Sequence, residues 1–155
     1  MKNGFVDSTD PPDEPRSLVD TNVVVYSYDP SDPVKQSTAN TLIQRLSDAR
    51  RLVFSTQVFN EFCNVMMRPS RKPKFSPADV ALVLRRLSAT GEVVPITQRL
   101  TFRAVDAMPR HGFSFWDALI WAAAKEHGVE VVYTEDFQHG RDIEGVRIVN
   151  PFAAI

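Results

Sequence analysis

Cysteine is nearly absent: the chain of 155 residues holds one, Cys63. A single thiol excludes an intrachain disulfide and argues against a Cys-ligated zinc site, both in keeping with a reducing cytoplasm. Histidine is scarce, and His111, His127 and His139 form no metal-spaced pair. The six glycines build no phosphate-binding loop, and no serine sits in a G-x-S-x-G elbow. Long apolar runs are missing: the longest stretches free of charge are nine residues, 36–44 and 52–60, where a membrane span needs about 20. The opening MKNGFVDSTDPPDEP is acidic and Pro-rich, without the apolar stretch of a secretory signal. Residues 1–16 therefore read as a mobile tail and 17–155 as a single domain.

What is present fits a folded globular domain, with 43% apolar and 24% charged residues. The net charge of −1 hides an uneven distribution. From Arg45 to Arg86 nine Lys/Arg face three acids, whereas from Asp106 to Glu144 eight acids face three bases. A basic segment set against an acidic one is expected where a polyanion and metal cations share a site; ordinary scatter over two solvated surfaces predicts the same count.

Short apolar runs at 17–20, 52–54, 92–96, 129–133 and 146–149 read as strands. Between them lie segments of helical period: one from Asp32-Pro33 with Ala39, Leu42, Ile43 and Leu46, one over 56–68, one capped by Ser76, one over 97–108 and one over 114–127. Val23-Val24-Val25-Tyr26 is strand by β-propensity, with a short helix equally open. Strands alternating with helices indicate an α/β domain with a mainly parallel sheet of four or five strands.

In such sheets ligands gather beyond the carboxyl ends of the strands. Four acids fall at that edge: Asp20 ends the first strand, Asp136 follows the fourth, and Glu61 and Asp117 lie in the first turns of their helices. Glu61 sits beside Val58, Phe62 and Val65 where an apolar residue is expected, and burying a lone carboxylate is costly. A structural reading makes Glu61 half of a buried ion pair, Asp117 part of a Ser114-x-x-Asp117 capping box, and the other two turn residues. A functional reading makes them one cluster holding Mg²⁺ or Mn²⁺, which hydrolases use to activate water and stabilise a leaving oxygen. Trp116, Trp121 and Cys63 read as core, and His139-Gly140 as a turn.

Leu18-Val19-Asp20-Thr21-Asn22, Ser55 to Phe62, Ser114 to Ile120, Tyr133 to Gly140 and Asn150-Pro151-Phe152, taken in order, resemble the PIN-domain ribonucleases, in particular the VapC-type toxins of toxin–antitoxin pairs. The resemblance implies a three-layer α/β/α fold, a homodimer, and Mg²⁺- or Mn²⁺-dependent endoribonuclease activity in the cytoplasm, held in check by a cognate antitoxin. It maps the family's acids onto Asp20, Glu61, Asp117 and Asp136, choosing Asp136 over its neighbour Glu135, and makes 23–26 helical. Thr21, Asn22, Ser114 and Thr134 become candidate supporting or phosphate contacts, and Arg68, Arg71, Lys72 and Lys74 candidate RNA-backbone or antitoxin contacts. A non-catalytic interaction module on the same fold is the alternative reading.

Overall fold

The structure is a computed structural model that describes residues 14–137 and 139–154. Its strands are β1 (Ser17–Val19), β2 (Leu52–Ser55), β3 (Glu92–Val94), β4 (Val131–Tyr133), β5 (Asp142–Ile143) and β6 (Val146–Val149). Its helices are α1 (Thr21–Tyr26), α2 (Pro33–Asp48), α3 (Thr56–Met66), α4 (Pro77–Thr90), α5 (Gln98–His111) and α6 (Phe115–Glu126). Side chains named by the sequence start these helices. Asp32 caps α2 with Pro33 in the first turn, Ser76 and Asp79 form a reciprocal capping box on α4, and Ser114 caps α6 through the Asp117 amide.

The sheet runs β3-β2-β1-β4-β6-β5 and every pairing is parallel except β5 with β6. From β1 the chain moves to one side through β2 and β3, then returns to place β4 on the other side of β1. Right-handed crossovers put α1–α4 on one face and α5 and α6 on the other, giving three layers. The helix contacts agree: α1 packs on α2 and α3, α3 on α4, and α5 on α6. Strand order therefore reverses between β1 and β4, the place where open α/β sheets bind ligands.

Residues 23–26 are helical, as part of α1, with Asp20 as its N-cap and Val23 and Val24 buried. The sheet gains a sixth strand beyond the expected four or five. Its two residues are too short to carry a period, and the turn joining it to β6 uses Glu144 (φ 52°) and Gly145 (φ 86°). Both central residues in the left-handed region make a primed hairpin turn, but Glu rather than Asn or Asp at the first hides the signal. β3 ends at Val94 because Pro95 has no N–H for the ladder. α5 contains Pro109 in its last turn and stops at Gly112, whose φ of 70° suits glycine.

Trp121 is buried and donates through its indole N–H to the Ile143 carbonyl at 3.1 Å, whereas Trp116, expected in the core, is 60% exposed. Of the 1–16 segment, residues 1–13 lie outside the described residues, while Arg16 exchanges hydrogen bonds with Glu130 beside β4. No helix among the described residues is long and apolar enough to cross a membrane.

Candidate active site

Asp20 stands where β1 gives way to α1. Its amide donates to the Tyr133 carbonyl at 3.0 Å, tying the ends of β1 and β4 together. One carboxylate oxygen accepts from the Thr21 amide at 2.7 Å and the other from the Thr134 hydroxyl at 2.8 Å. All these partners are neutral. Burial pushes the Asp20 carboxyl up to about 7; the Thr134 and Thr21 donors pull against it, and the nearby Glu61 and Asp136 charges add to the rise.

Asn22 is the clamp of the site. Its side-chain amide donates to Asp136 at 3.0 Å and to the Thr134 hydroxyl at 3.1 Å, and its carbonyl accepts from the Glu135 amide at 3.2 Å. The first turn of α1 thus holds the loop after β4. Glu135 turns away to pair with Lys35, while Asp136 faces Asn22 and Asp20. Thr134 is fully buried, with its hydroxyl committed to Asp20, Asn22 and the Asp136 amide, so it positions neighbours rather than meeting a substrate.

Glu61 projects from α3 and is half-buried. Its two oxygens accept from the Thr21 hydroxyl at 2.8 Å and the Gln57 amide at 2.9 Å, so the expected alternative of a buried Arg–Glu pair is not what holds it. Gln57, one turn before Glu61 and also bonded to the Trp116 carbonyl, is a positioning residue that the sequence reading missed. Its only signal is the i, i+4 spacing to Glu61. Its own carbonyl oxygen is buried without a partner among the described residues, an unmet acceptor of the kind that marks functional sites. Asp117 sits in the first turn of α6. Burial raises its pKa and the Asp136 and Glu61 charges add to this, while the Ser114 hydroxyl opposes. Ser114 is exposed and acts as the cap, half of the expected box.

A cavity of about 360 Å³ is lined by Thr21, Asn22, Glu61, Asp136 and Arg71, with Asp29 behind the arginine. Asp29 accepts from Arg71 at 3.0 Å, and the Ser31 hydroxyl, burial notwithstanding, keeps the Asp29 carboxyl below its ordinary range. Arg71 is thereby anchored on the wall of the acidic cavity. Arg68 is exposed on a neighbouring cavity of about 680 Å³, and Lys72 is exposed in the loop between α3 and α4. A larger hollow of about 870 Å³ runs along α2 from Asn40 to Ala49 and is lined by none of the four acids. Volume alone does not select the site.

Glu61 and Asp136 lie close enough to Asp20 and Asp117 for their charges to raise the pKa of both, yet among the described residues no three acidic, His or Cys side chains converge tightly enough to grip an ion by themselves. The donors are hard oxygens, and among the described residues the buried Asp20 has no cationic partner. Mg²⁺ and Mn²⁺ fit such a set, because a small hard cation keeps several waters and is held through one or two carboxylates.

The PIN domain family matches residues 17–141, and the chain belongs to that family. Within it, the chain is similar to a VapC ribonuclease of Mycobacterium bovis and to ribonuclease VapC13 of Mycobacterium tuberculosis, each 31% identical over 113 residues that span 72% of this chain and 83% of theirs. Among solved structures it is similar to VapC20 of Mycobacterium tuberculosis, described as a sarcin-ricin loop cleaving toxin, at 25% identity and a TM-score of 0.59 over 77% of this chain and 89% of that one. The toxin–antitoxin complex of Klebsiella pneumoniae shares the fold, with 23% identity and a TM-score of 0.63 over 88% of this chain and 98% of that one.

Proposed function

We propose that this chain is an endoribonuclease, the toxin of a toxin–antitoxin pair, which hydrolyses RNA phosphodiester bonds at Asp20, Glu61, Asp117 and Asp136. The observation that carries the reading is the meeting of these four acids at the β1/β4 reversal, on a chain 31% identical to VapC ribonucleases. A bound Mg²⁺ or Mn²⁺ would supply the charge that activates water and offsets the developing charge on the leaving oxygen. Asp20, Glu61 and Asp117 would hold it directly or through water, with Asp136 completing the cluster.

The remaining residues have defined tasks. Thr21 and Gln57 keep both oxygens of Glu61 oriented, and Thr134 and Asn22 hold Asp20 and Asp136 in register. Arg71, fixed by Asp29, presents a guanidinium to the cavity that would receive the scissile phosphate. Arg68, Lys72 and Lys74 extend the basic track for the strand or for the antitoxin. The proposed assembly is a cytoplasmic homodimer inhibited by its cognate antitoxin.

The test is digestion of total cellular RNA with Mg²⁺, with Mn²⁺ and with EDTA. We expect a few discrete fragments with either metal and none with EDTA. Asp20→Asn and Asp117→Asn should each lower cleavage by at least about a hundredfold with the circular dichroism spectrum preserved. Cleavage retained in clean preparations of both variants would remove the acidic cluster from the mechanism. A folded, antitoxin-free protein that cleaves no RNA would favour the interaction-module alternative.

A further inference from the structure

One face of α3 is polar at helical spacing. Gln57, Asn60, Glu61 and Asn64 stand at i, i+3, i+4 and i+7 along the helix and, with Arg68 just past its end, line a cavity of about 680 Å³. The opposite face of the same helix carries Val58, Phe62 and Met66 into the core. Across the cavity stands Trp116, 60% exposed, although residues 118–124 of its helix are all buried. Ile96, Val65 and Leu119 supply apolar surface around it. The size falls within the range of sites that enclose small organic ligands, roughly 300–1,000 Å³.

Three features select the ligand. An accessible indole offers a flat face, the surface on which unpaired bases stack without regard to sequence. The Asn60 and Asn64 amides are exposed and have no hydrogen-bond partner among the described residues, and each offers a donor and an acceptor to match a base edge. Glu61 lines both this cavity and the 360 Å³ acidic one, so a group seated here is next to whatever occupies the cleavage site. Arg68 lies two residues past the end of α3 and places a cation at the far end of the cavity. A hydrophobic peptide would use the tryptophan but leave the amide row idle.

We propose that this cavity is a nucleobase subsite, in which an unpaired base beside the scissile phosphate stacks on Trp116 while its edge meets Asn60 and Asn64. The inference rests on the ribonuclease reading for its strand. It adds that the substrate is single-stranded at the nucleotide flanking the cut, and that base preference resides on α3.

The experiment measures binding without cleavage. The full chain in EDTA is titrated with labelled single-stranded RNA hexamers of each base, with an abasic hexamer and with duplex RNA, by fluorescence anisotropy. The chain has two tryptophans and Trp121 is fully buried, so quenching of intrinsic emission reports on Trp116. We expect the single strands to quench and the abasic strand and duplex not to. Trp116→Ala should weaken single-strand binding about tenfold, Trp116→Phe should restore most of it, and Asn60→Ala or Asn64→Ala should alter the ranking among bases. Equal affinity for abasic and intact strands, or a Trp116→Ala variant that binds as tightly as the parent, would overturn the subsite. Unchanged RNA affinity together with a shifted oligomeric state in that variant would overturn it too, and reassign the face to a protein contact. Base-dependent quenching in a protein that cleaves no RNA with any divalent cation would uphold the subsite and remove the ribonuclease reading alone. Cleavage that proceeds with no stacking signal would do the reverse.

Discussion

Asp20 carries an energetic cost that the proposed metal-holding role would explain. Its carboxyl is buried among neutral donors, and its folded pKa of about 7 lies above the ordinary carboxylate value of 3.8. A folded state that binds the proton more tightly than the unfolded chain is stabilised as pH falls through the folded value, and the penalty is fully present above it. With EDTA present, lowering the pH from 8 to 6 should therefore stabilise the fold by roughly 1 kcal/mol, or about 2–4 °C in Tm. Asp117 is also raised by burial. Asp20→Asn should flatten the slope in a thermal melt, and a slope unaltered by that change would assign it to other groups. Asn22 shows a different kind of role at the same scale. Asn22→Ala removes the bridge from α1 to Asp136, Thr134 and the Glu135 amide. We expect it to lower the cleavage rate by about ten- to a hundredfold with a stability loss of only about 1 kcal/mol, as read by turnover and by denaturant melts. A stability loss of several kcal/mol would make it a structural residue first.

Among the elements, α3 carries the greatest load. It buries Val58, Phe62 and Met66 on one side, and on the other it presents Glu61 to the acids and an amide row to the adjoining cavity. That double use explains why Glu61 sits at the boundary of the apolar stripe. The turn from α4 into β3 shows how tightly the sheet side is packed. A Cβ on Gly91 would lie 2.8 Å from Leu52 Cγ and 3.0 Å from the Leu52 carbonyl oxygen, although the backbone at Gly91 is extended and acceptable to any residue. Gly91→Ala should thus destabilise through steric displacement of β2, by about 1–3 kcal/mol, measurable as a lower midpoint in urea. An unchanged midpoint would show that Leu52 moves aside freely. β2 leads directly into α3, so the same variant should also cleave more slowly.

For the molecule as a whole, charge distribution and topology act together. The basic stretch from Arg45 to Arg86 includes Arg71 on the acidic cavity and Arg68 on its neighbour. If Arg68, Arg71 and Lys72 each meet one phosphate of a single strand, log affinity should fall with log salt at a slope of about −2, and Arg71→Ala should make it shallower by about 0.7. Anisotropy titrations across a KCl series give the slope directly. A value near zero would place these bases on the antitoxin rather than on RNA.

The sequence by itself determined the fold class, because alternating strand and helix patterns, capping residues and short motifs all act locally and repeat along the whole chain. It also determined that Asp20, Glu61, Asp117 and Asp136 belong to one edge, since helices in a parallel sheet begin where strands end. The sixth strand escaped it: two residues hold no period, and Glu144 supplies a turn conformation usually left to Asn or Asp. Trp116 escaped it as well, because an apolar pattern names a buried helix without saying which of its residues faces a cavity. Only the tertiary structure decided that Glu135 pairs with Lys35 while Asp136 faces the cluster, that Thr134 is locked inside rather than open to substrate, and that Gln57 orients Glu61. Those assignments join residues up to 114 positions apart, and a hydrogen bond across that separation exists only once the β1/β4 reversal has brought its ends together.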